Sequence, residues 1–389
     1  MGWSPFRKTG LTHFEPFYCV KGYTLVTPLS GDSSYLIDMG GRIVHRWRLP
    51  GFRLFYGRLL ANGNLLVMGS DASVPPPQVP PGTVPAFEAN IRRIGGNATH
   101  LHELDWDGNV AWRYEDPTIH HDFVRLANGN TLMPAFVQLP PEVAAAVRGG
   151  YRTRERLPPM IGDDFLEVDR RGAEVRRIHL WQLLDPRRDA LCPLERRLEW
   201  THTNSLDVNA KGDILFSCRQ NSRIGIIDGE SGKLFWKYGA PHIHHQHHAT
   251  FLRDGKVQVF DNGMHRPGTP RSAVVEIDTK TNEATWQFAG VPEQQFFSGH
   301  ISGAERLAGE NVLVCEGASG RVFEATRRGE VVWEWISPFV NRNPAGTPIA
   351  WLFRAHRYEP DHPALAGREL DPGRYRELNR LHGLDGDGG

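Results

Sequence analysis

The sequence predicts an all-β fold and, within that class, a six-bladed β-propeller. Three observations predict it: a repeated hairpin that ends in tryptophan, a second repeated hairpin that precedes it, and a lone strand near the C-terminus. The first hairpin combines alternating apolar residues, a tight turn with Gly or Asn, and a second alternating run. Its six copies end at Trp47, Trp112, Trp181, Trp236, Trp286 and Trp333.

The second hairpin places N-G, K-G, D-G or G-E turns between β-prone runs, as in GRLLANGNLLVMG and VRLANGNTLMPAF. Two hairpins make one four-stranded blade, but the first tryptophan hairpin has no partner before it. We expect TPIAWLFRAHRYEP, after the last tryptophan hairpin, to supply the missing inner strand and close the ring. The predicted division is an N-terminal segment over 1–22, the propeller over 23–358 and a C-terminal tail over 359–389. Two β-sandwich domains are the all-β alternative, which six copies of one motif disfavour.

Long loops interrupt the repeat in blades two and three. The first, DASVPPPQVPPGTVPAF, is rich in proline. The second runs from about Val137 to Asp163 and contains PPEVAAAVRGG, which predicts a short helix because proline begins it and glycine ends it. The third runs from Asp185 to Arg197. Such loops form a lid over one face, remain solvated or make dimer contacts. A homodimer is therefore one of the alternatives that the sequence leaves undecided.

Composition excludes several classes of protein. The 389 residues carry 45 basic and 45 acidic side chains, so a net charge of zero gives no electrostatic reason to expect nucleic acid or an anionic membrane as partner. A mean hydropathy of -0.43 and the lack of a long apolar run exclude an integral membrane protein. The N-terminus lacks the apolar core of a secretory signal, so we expect a cytoplasmic protein unless an exported precursor was trimmed.

Histidines begin five of the six predicted inner strands. They are His120 and His121 in IHHDFVRL, His202 in THTNSLDV, His247 and His248 in HQHHATFL, His300 in SGHISGA, and His356 in FRAHRY. Blade two has Arg53, Phe55 and Tyr56 instead. Because inner strands line the central channel of a propeller, we expect these imidazoles to surround its mouth and to form a functional site.

Three chemistries suit such a group of imidazoles. Neutral imidazoles bind divalent transition metals, and the candidate ligands are His121, His202, His247, His300 and His356. An imidazole can also act as a nucleophile and as a general acid–base near neutral pH. Together with a cation such as Arg219, which follows the His202 hairpin in FSCRQNS, imidazoles can bind a tetrahedral oxyanion.

Four motifs in one order resemble the arylsulfotransferase family, whose enzymes act without the donor PAPS. They are H-x-N-S, S-x-R, Q-H and F-D-N-G, which follow one another from WTHTNS to VFDNG, and IHHDFVRLANGN resembles a further strand of the family. The resemblance runs from about Tyr23 to Trp335. It implies a six-bladed propeller that moves a sulfuryl group from an aryl sulfate to a phenol by a ping-pong route, without a cofactor.

Carried over by position, the resemblance implies a role for each candidate residue. His247 is the nucleophile that forms a sulfohistidine. Arg219, His202 and His121 hold the sulfuryl oxygens and manage the phenol proton. The expected substrate-binding residues are Asn204, Asp122, His248, His300, His356, Tyr56 and Phe297, and the expected partners are small aromatic molecules.

Two other hypotheses stay open. The additional imidazoles favour a metal-dependent lyase, hydrolase or oxygenase on the same scaffold, with one divalent transition metal held by histidines. A non-catalytic propeller that serves as an interaction platform is the third hypothesis, although it gives no reason for ionisable residues around the axis. Arg219 favours the transferase, because a guanidinium does not ligate metals.

Overall fold

The computed structural model describes residues 8–74, 84–152 and 158–385. The chain divides into two compact units. Unit 1 comprises Met1–Ser73, His102–Arg113 and Ile301–Gly389, and unit 2 comprises Val74–Leu101 and Tyr114–His300. Both units consist mainly of antiparallel strands joined by tight turns, as the alternating hairpin patterns predict.

Unit 1 contains blade one, most of blade two, and blade six. Blade one consists of β29 (Leu352–Tyr358), β2 (Tyr23–Pro28), β3 (Ser33–Ile37) and β4 (Ile43–Arg48). Blade two consists of β5 (Phe52–Leu59), β6 (Leu65–Asp71), β7 (His100–Leu104) and β8 (Val110–Glu115). Blade six consists of β23 (Gly303–Arg306), β24 (Val312–Glu316), β25 (Arg321–Ala325), β26 (Val331–Ile336) and an added edge strand, β1 (Gly10–Phe14).

Unit 2 contains blades three, four and five. Blade three consists of β9 (Val124–Arg125), β10 (Thr131–Gln138), β12 (Ile161–Val168) and β13 (Glu174–His179). Blade four consists of β15 (Thr203–Val208), β16 (Ile214–Cys218), β17 (Arg223–Ile227) and β18 (Leu234–Gly239). Blade five consists of β19 (His247–Phe251), β20 (Lys256–Asp261), β21 (Ala273–Asp278) and β22 (Ala284–Ala289).

Short elements lie between and after the blades. Two small sheets are formed by β11 (Gly149–Tyr151) with β14 (Leu191–Arg196), and by β27 (Asn341–Arg342) with β28 (Pro348–Ile349). The α-helices of the described residues are α1 (Phe87–Ile91), α2 (Pro141–Ala146), α3 (Leu180–Leu183) and α4 (Arg376–Leu381). Single 3₁₀ turns cover Glu293–Gln295, Ala308–Glu310, Gly317–Ser319, Pro363–Leu365 and Pro372–Tyr375.

The predicted all-β, six-bladed β-propeller fold is confirmed by the six sheets. Strand β29 pairs antiparallel with β2, and Tyr358 lies opposite Tyr23, so the C-terminal strand completes blade one as predicted. The N-terminal segment adds β1 to the outer edge of blade six, where Gly10 lies opposite Ile336.

The predicted loops interrupt the blades at the expected places. The loop of blade two separates β6 from β7; its residues 75–83 lie outside the described residues, and α1 follows them. The loop of blade three separates β10 from β12 and contains the predicted helix, α2. The third loop follows blade three, and its strand β14 pairs in parallel with β11 of the second loop. The second and third loops therefore support each other.

The repeated tryptophans join one blade to the next. Five of the six lie in the last core strand of a blade, but the prediction is wrong for Trp181, which lies in α3 after β13 has ended. In three blades the indole N–H donates to the outer turn of the following blade: Trp47 to the carbonyl of Asp105, Trp236 to Oδ1 of Asn282, and Trp333 to the carbonyl of Met39. A large apolar ring with one donor suits this position, because it buries area and also fixes a loop.

Neighbouring blades pack through their apolar faces. Between blades four and five, the core includes Leu215, Ile224, Val257 and Val275, all buried. Branched side chains of this kind fit a pleated surface, and burying each contributes about 1.5–3 kcal/mol. The thiols of Cys218 and Cys315 are buried.

The segment after β29 packs against blade one. Asn379 of α4 is fully buried, and it accepts the N–H of Ile43 at Oδ1 and donates from Nδ2 to the Ile43 carbonyl. Residues 386–389, the glycine-rich end of the predicted tail, lie outside the described residues. No helix within the described ranges combines the length and the apolar character needed to cross a membrane.

Candidate active site

Unit 2 brings together most of the predicted site residues at the strand ends of blades three, four and five. His121 precedes β9, His202 immediately precedes β15, and His247 begins β19. Arg219 is the first residue after β16. All four are buried or largely buried. The elements that carry them are sheets of one compact unit.

The backbone shows which positions of blades four and five are equivalent. His202 and His245 both have left-handed backbone, with φ of 55° and 52°, a conformation that non-glycine residues adopt rarely. The same backbone hydrogen bond crosses the sheet at the preceding residue: Gln220 N–H to the Thr201 carbonyl in blade four, and Gly263 N–H to the His244 carbonyl in blade five. His202 therefore corresponds to His245.

This register corrects the prediction that His202 and His247 begin their strands at equivalent places. Both inner hairpins close with the same turn, Asn209 N–H to the Asp213 carbonyl and Leu252 N–H to the Lys256 carbonyl. Asn204 lies five residues before Asn209, and His247 lies five residues before Leu252, so His247 corresponds to Asn204. The sequences around His202 and His247 look alike, but the hydrogen bonds of the two sheets show that these two histidines are offset by two residues.

His202 is paired with a carboxylate and with a second imidazole. Its Nδ1 lies 2.5 Å from Oε2 of Glu199, and its ring meets that of His121 edge to face with centroids 4.5 Å apart. A carboxylate at Nδ1 favours the tautomer with a proton on that nitrogen. Proton exchange at His202 is thereby directed to Nε2.

A buried chain of polar contacts leads from His121 through His120 to Asp163. Its Nδ1 lies 2.8 Å from Nδ1 of His120, whose Nε2 lies 3.2 Å from Oδ1 of Asp163. Burial would raise the pKa of Asp163, but His120 and the backbone N–H of Thr203 lower it below its ordinary value. An ionised Asp163 favours a proton on Nε2 of His120. Nδ1 of His120 then accepts from Nδ1–H of His121, which leaves the lone pair of His121 on Nε2.

Gly96 makes room for the His121 imidazole. It has a φ of 78°, and a β-carbon there would overlap the ring. Left-handed strain alone costs about 1–3 kcal/mol. We expect Gly96→Ala to lower the free energy of unfolding by more than this, because the added carbon would also overlap the His121 ring. Gly108→Ala is the matched control, because Gly108 has a φ of 88° with no atom within 4 Å of its added carbon. Urea unfolding measures both, and equal losses would contradict the steric role.

Asn262 determines the tautomer of His247. Nδ2 of Asn262 donates to the carbonyl of Ser298 at 2.7 Å, which turns Oδ1 toward Nδ1 of His247, also at 2.7 Å. The carbonyl of His245 lies 3.2 Å from the same nitrogen. Two acceptors at Nδ1 require that it carry the proton, so the lone pair of His247 lies on Nε2.

Arg219 supplies positive charge to this part of unit 2. Its Nη1 donates to Oε1 of Glu195 at 2.9 Å and to the side-chain oxygen of Gln220 at 2.8 Å. Burial, followed by the charge of Arg219, lowers the pKa of His245 to about 2 and also lowers that of His300. His245 is therefore a neutral imidazole at physiological pH.

Asn204 and Asp122 tie the strands of the site to one another. Nδ2 of Asn204 donates to the carbonyl of Gln246 at 2.8 Å, which connects blade four to the residue before His247. Oδ2 of Asp122 accepts the N–H of Leu206 at 2.9 Å, which connects blade three to blade four. Both side chains are buried.

The remaining predicted residues are distributed over both units. In unit 2, His248 is buried in β19, and Phe297 and His300 are half-buried in the segment before β23. In unit 1, the hydroxyl of Tyr56 lies 2.7 Å from Nε2 of His356. The prediction that His356 begins its strand is wrong, because β29 begins at Leu352, whose partner is Pro28, and His356 lies inside the strand.

Several residues of the site were not predicted. Glu199 and Asp163 support the imidazoles of His202 and His120, and Asn262 supports that of His247. Asn262 had a signal, since it belongs to the F-D-N-G motif. Glu199 and Asp163 had none, because acidic residues occur in almost every hairpin and only the fold shows which ones face a histidine.

Within the described residues, one group of three side chains has the spacing of metal ligands. It consists of Cys192, His245 and His265, whose ligand atoms all lie within 4.8 Å of one another. None of the five histidines predicted as alternative metal ligands belongs to this group. Glu195 lies beside it, with Oε1 3.6 Å from Nδ1 of His245.

Several solved structures are similar to this chain at low sequence identity. A crystal structure of a protein of unknown function from Bacteroides caccae has a TM-score of 0.52 and 13% identity, covering 87% of this chain and 98% of that chain. A virginiamycin B lyase from Staphylococcus aureus has a TM-score of 0.44 and 14% identity over 84% and 83%. A streptogramin B lyase has 0.45 and 12% over 90% and 93%. The Bacteroides likeness is one of fold alone.

A family model identifies the sequence more specifically. The arylsulfotransferase (ASST) model matches residues 97–338, which include the predicted site residues of unit 2 but not Tyr56 and His356 of unit 1. Comparison with the curated proteins gives no match. Because the family match extends over more than half of the chain, the protein belongs to the arylsulfotransferase family, which supports an aryl sulfotransferase activity in general.

Proposed function

We propose that the protein transfers a sulfuryl group from an aryl sulfate to a phenol through a sulfohistidine on His247. The observation that carries this proposal is the hydrogen bond between Nδ1 of His247 and Oδ1 of Asn262, 2.7 Å long. It holds the proton on Nδ1 and the lone pair on Nε2. A neutral imidazole with a defined tautomer is a nucleophile ready at neutral pH.

In the first half-reaction, Nε2 of His247 attacks the sulfur of the aryl sulfate. The N–S bond forms, the bond between sulfur and the aryl oxygen breaks, and its electron pair stays on the phenolate oxygen. Protonated His202 gives its Nε2 proton to that oxygen. Glu199 fixes the ring of His202 through Nδ1, in the way that a carboxylate orients a catalytic histidine.

The second half-reaction reverses these roles. An acceptor phenol gives its proton to Nε2 of His202, its oxygen attacks the sulfur, and the N–S electron pair returns to Nε2 of His247. His121 is the second imidazole of the pair and is held by His120 and Asp163. We assign it to the same proton, because the lone pair on its Nε2 can accept a proton but cannot donate to a sulfuryl oxygen.

Charge on the sulfuryl oxygens is stabilised by Arg219. Preorganised donors and cations lower such barriers most in surroundings from which water is excluded. Arg219 is largely buried, and its charge already acts on His245 and His300. Asn204 and Asp122 hold the strands of His202 and His247 in register, and Phe297 and His248 complete the proposed substrate surface in unit 2. No cofactor enters either half-reaction.

A rapid-quench experiment tests the mechanism. Mixing the protein with 4-nitrophenyl sulfate and no acceptor should release one equivalent of nitrophenol per chain in a burst. Further turnover needs a second phenol to remove the sulfuryl group from His247. Mass spectrometry of the quenched protein, kept at alkaline pH, should place the added sulfuryl group on His247. His242→Ala, which removes an exposed imidazole of the same unit, is the matched control and should keep the burst. Release of nitrophenol without a covalent adduct, or an adduct on another residue, would contradict the proposal.

A further inference from the structure

We propose that Cys192, Glu195, His245 and His265 form a tetrahedral binding site for a divalent transition metal of the zinc class. The site lies in unit 2, where the loop after blade three meets the loops that flank β19 and β20 of blade five. It is a second site beside the proposed sulfohistidine centre and uses none of that centre's catalytic residues.

Three of the four ligand atoms, those of Cys192, His245 and His265, all lie within 4.8 Å of one another, and Glu195 lies beside the two histidines. Sγ of Cys192 lies 3.5 Å from Nδ1 of His265. Oε1 of Glu195 lies 3.6 Å from Nδ1 of His245 and 3.7 Å from Nδ1 of His265. Bonds of about 2.3 Å to sulfur and about 2.0–2.2 Å to nitrogen or oxygen separate tetrahedral ligands by about 3.3–3.6 Å.

His245 points independently to a ligand. Its side chain is 0% exposed, and among the described residues neither ring nitrogen has a hydrogen-bond partner. Buried polar atoms are nearly always satisfied, because leaving one unpaired costs free energy. A metal ion at Nδ1 would satisfy that nitrogen. His245 and His265 both have left-handed backbone, with φ of 52° and 60°, and their rings meet edge to face with centroids 4.6 Å apart.

The loop that carries Cys192 and Glu195 is fixed in place. Asp189 accepts Nζ of Lys237 at 2.7 Å and lies 3.2 Å from Nε of Arg223. The N–H of Cys192 donates to the Gln220 carbonyl. These contacts attach the loop to blade four, so two of the four ligands are positioned without help from a metal.

The donor set selects the metal. One thiolate, two imidazoles and one carboxylate match Zn²⁺, which takes sulfur, nitrogen and oxygen ligands in tetrahedral sites. Arg219 donates to Oε1 of Glu195, the kind of outer-shell contact that orients a ligating carboxylate. Cys192, Glu195 and His265 are partly exposed, which gives an ion a path to the buried His245.

Cobalt titration of the chelator-treated full chain tests the site. Co²⁺ alone is the probe, because it substitutes for Zn²⁺ and reports its ligands by absorption. We expect one equivalent per chain to bind, with a thiolate-to-cobalt charge-transfer band and the visible bands of tetrahedral Co²⁺. Cys192→Ser should abolish the charge-transfer band, whereas Cys19→Ser, which alters a partly buried thiol of unit 1, should keep it.

A second variant keeps the test decisive if Cys192→Ser does not fold. His265→Gln should weaken metal binding by more than the 10–100-fold expected for loss of an outer-shell partner. No charge-transfer band in the wild type, or a band unchanged in Cys192→Ser or His265→Gln, would overturn the proposal. These readouts involve no sulfate ester, so they are independent of the outcome for the sulfohistidine mechanism.

Discussion

We expect replacement of His247 by alanine to abolish sulfuryl transfer, with kcat reduced by more than about 10⁴-fold, as loss of a covalent nucleophile typically does. The reason is specific to this imidazole. Asn262 holds the proton of His247 on Nδ1, so the reactive lone pair lies on Nε2, and no other side chain supplies the N–S bond. Release of nitrophenol from 4-nitrophenyl sulfate with a phenol acceptor measures the loss.

Two controls distinguish loss of the nucleophile from loss of another imidazole or of the fold. His242→Ala removes an exposed imidazole of the same unit and should keep most of the activity. Thermal unfolding followed by circular dichroism should show that the His247→Ala protein still folds, since the substitution leaves the ladder of β19 intact. A folded His247→Ala variant that retains a nitrophenol burst would disprove the assignment of the nucleophile.

Arg219→Ala lowers kcat by about 10²–10³-fold, the loss that follows removal of a single preorganised charge-stabilising donor. Its guanidinium is largely buried and acts on His245 and His300, so its charge is poorly screened where the sulfuryl oxygens are proposed to lie. Steady-state kinetics with varied donor separates an effect on kcat from one on KM. Arg219→Lys should recover part of the rate, because it restores the charge without the fork of donors.

Arg253→Ala is the matched control for Arg219, because it removes an arginine from an exposed turn of blade five in the same unit. It should leave both kinetic constants unchanged. If Arg219→Ala raises KM and leaves kcat unchanged, the guanidinium binds the donor equally in ground and transition states, and its role in stabilising the transition state is disproved.

The fold was predictable because each blade carries its own local pattern. Turn residues and period-two alternation mark every hairpin, and the unpaired first hairpin required a strand from elsewhere, which β29 provides. Trp181 shows where this reasoning fails. Its hairpin is longer than the other five, β13 ends at His179, and Leu180 turns into α3 to reach the core of unit 2.

The site was less predictable, because its geometry depends on contacts between distant segments. Strand-start histidines were visible in the sequence, but the pairing of His202 with His245 required the hydrogen-bond register of two blades. His245 and His265 lie in loops whose left-handed backbone has no sequence signal outside glycine. Cys192 is brought to them by a loop of irregular sequence, so the metal-type spacing becomes visible only in three dimensions.

The pairing of β2 with β29 has a consequence for synthesis of the chain on the ribosome. Strands β2, β3 and β4 are translated before the core strands of blades two to six, whereas β29, the inner neighbour of β2, is translated after all of them. Until then the nascent protein carries an open sheet edge, with backbone groups ready to pair with another chain. The interval between translation of Tyr23 and of Tyr358 is therefore the period in which newly made chains are most prone to associate with one another, and in which chaperones are most useful to them.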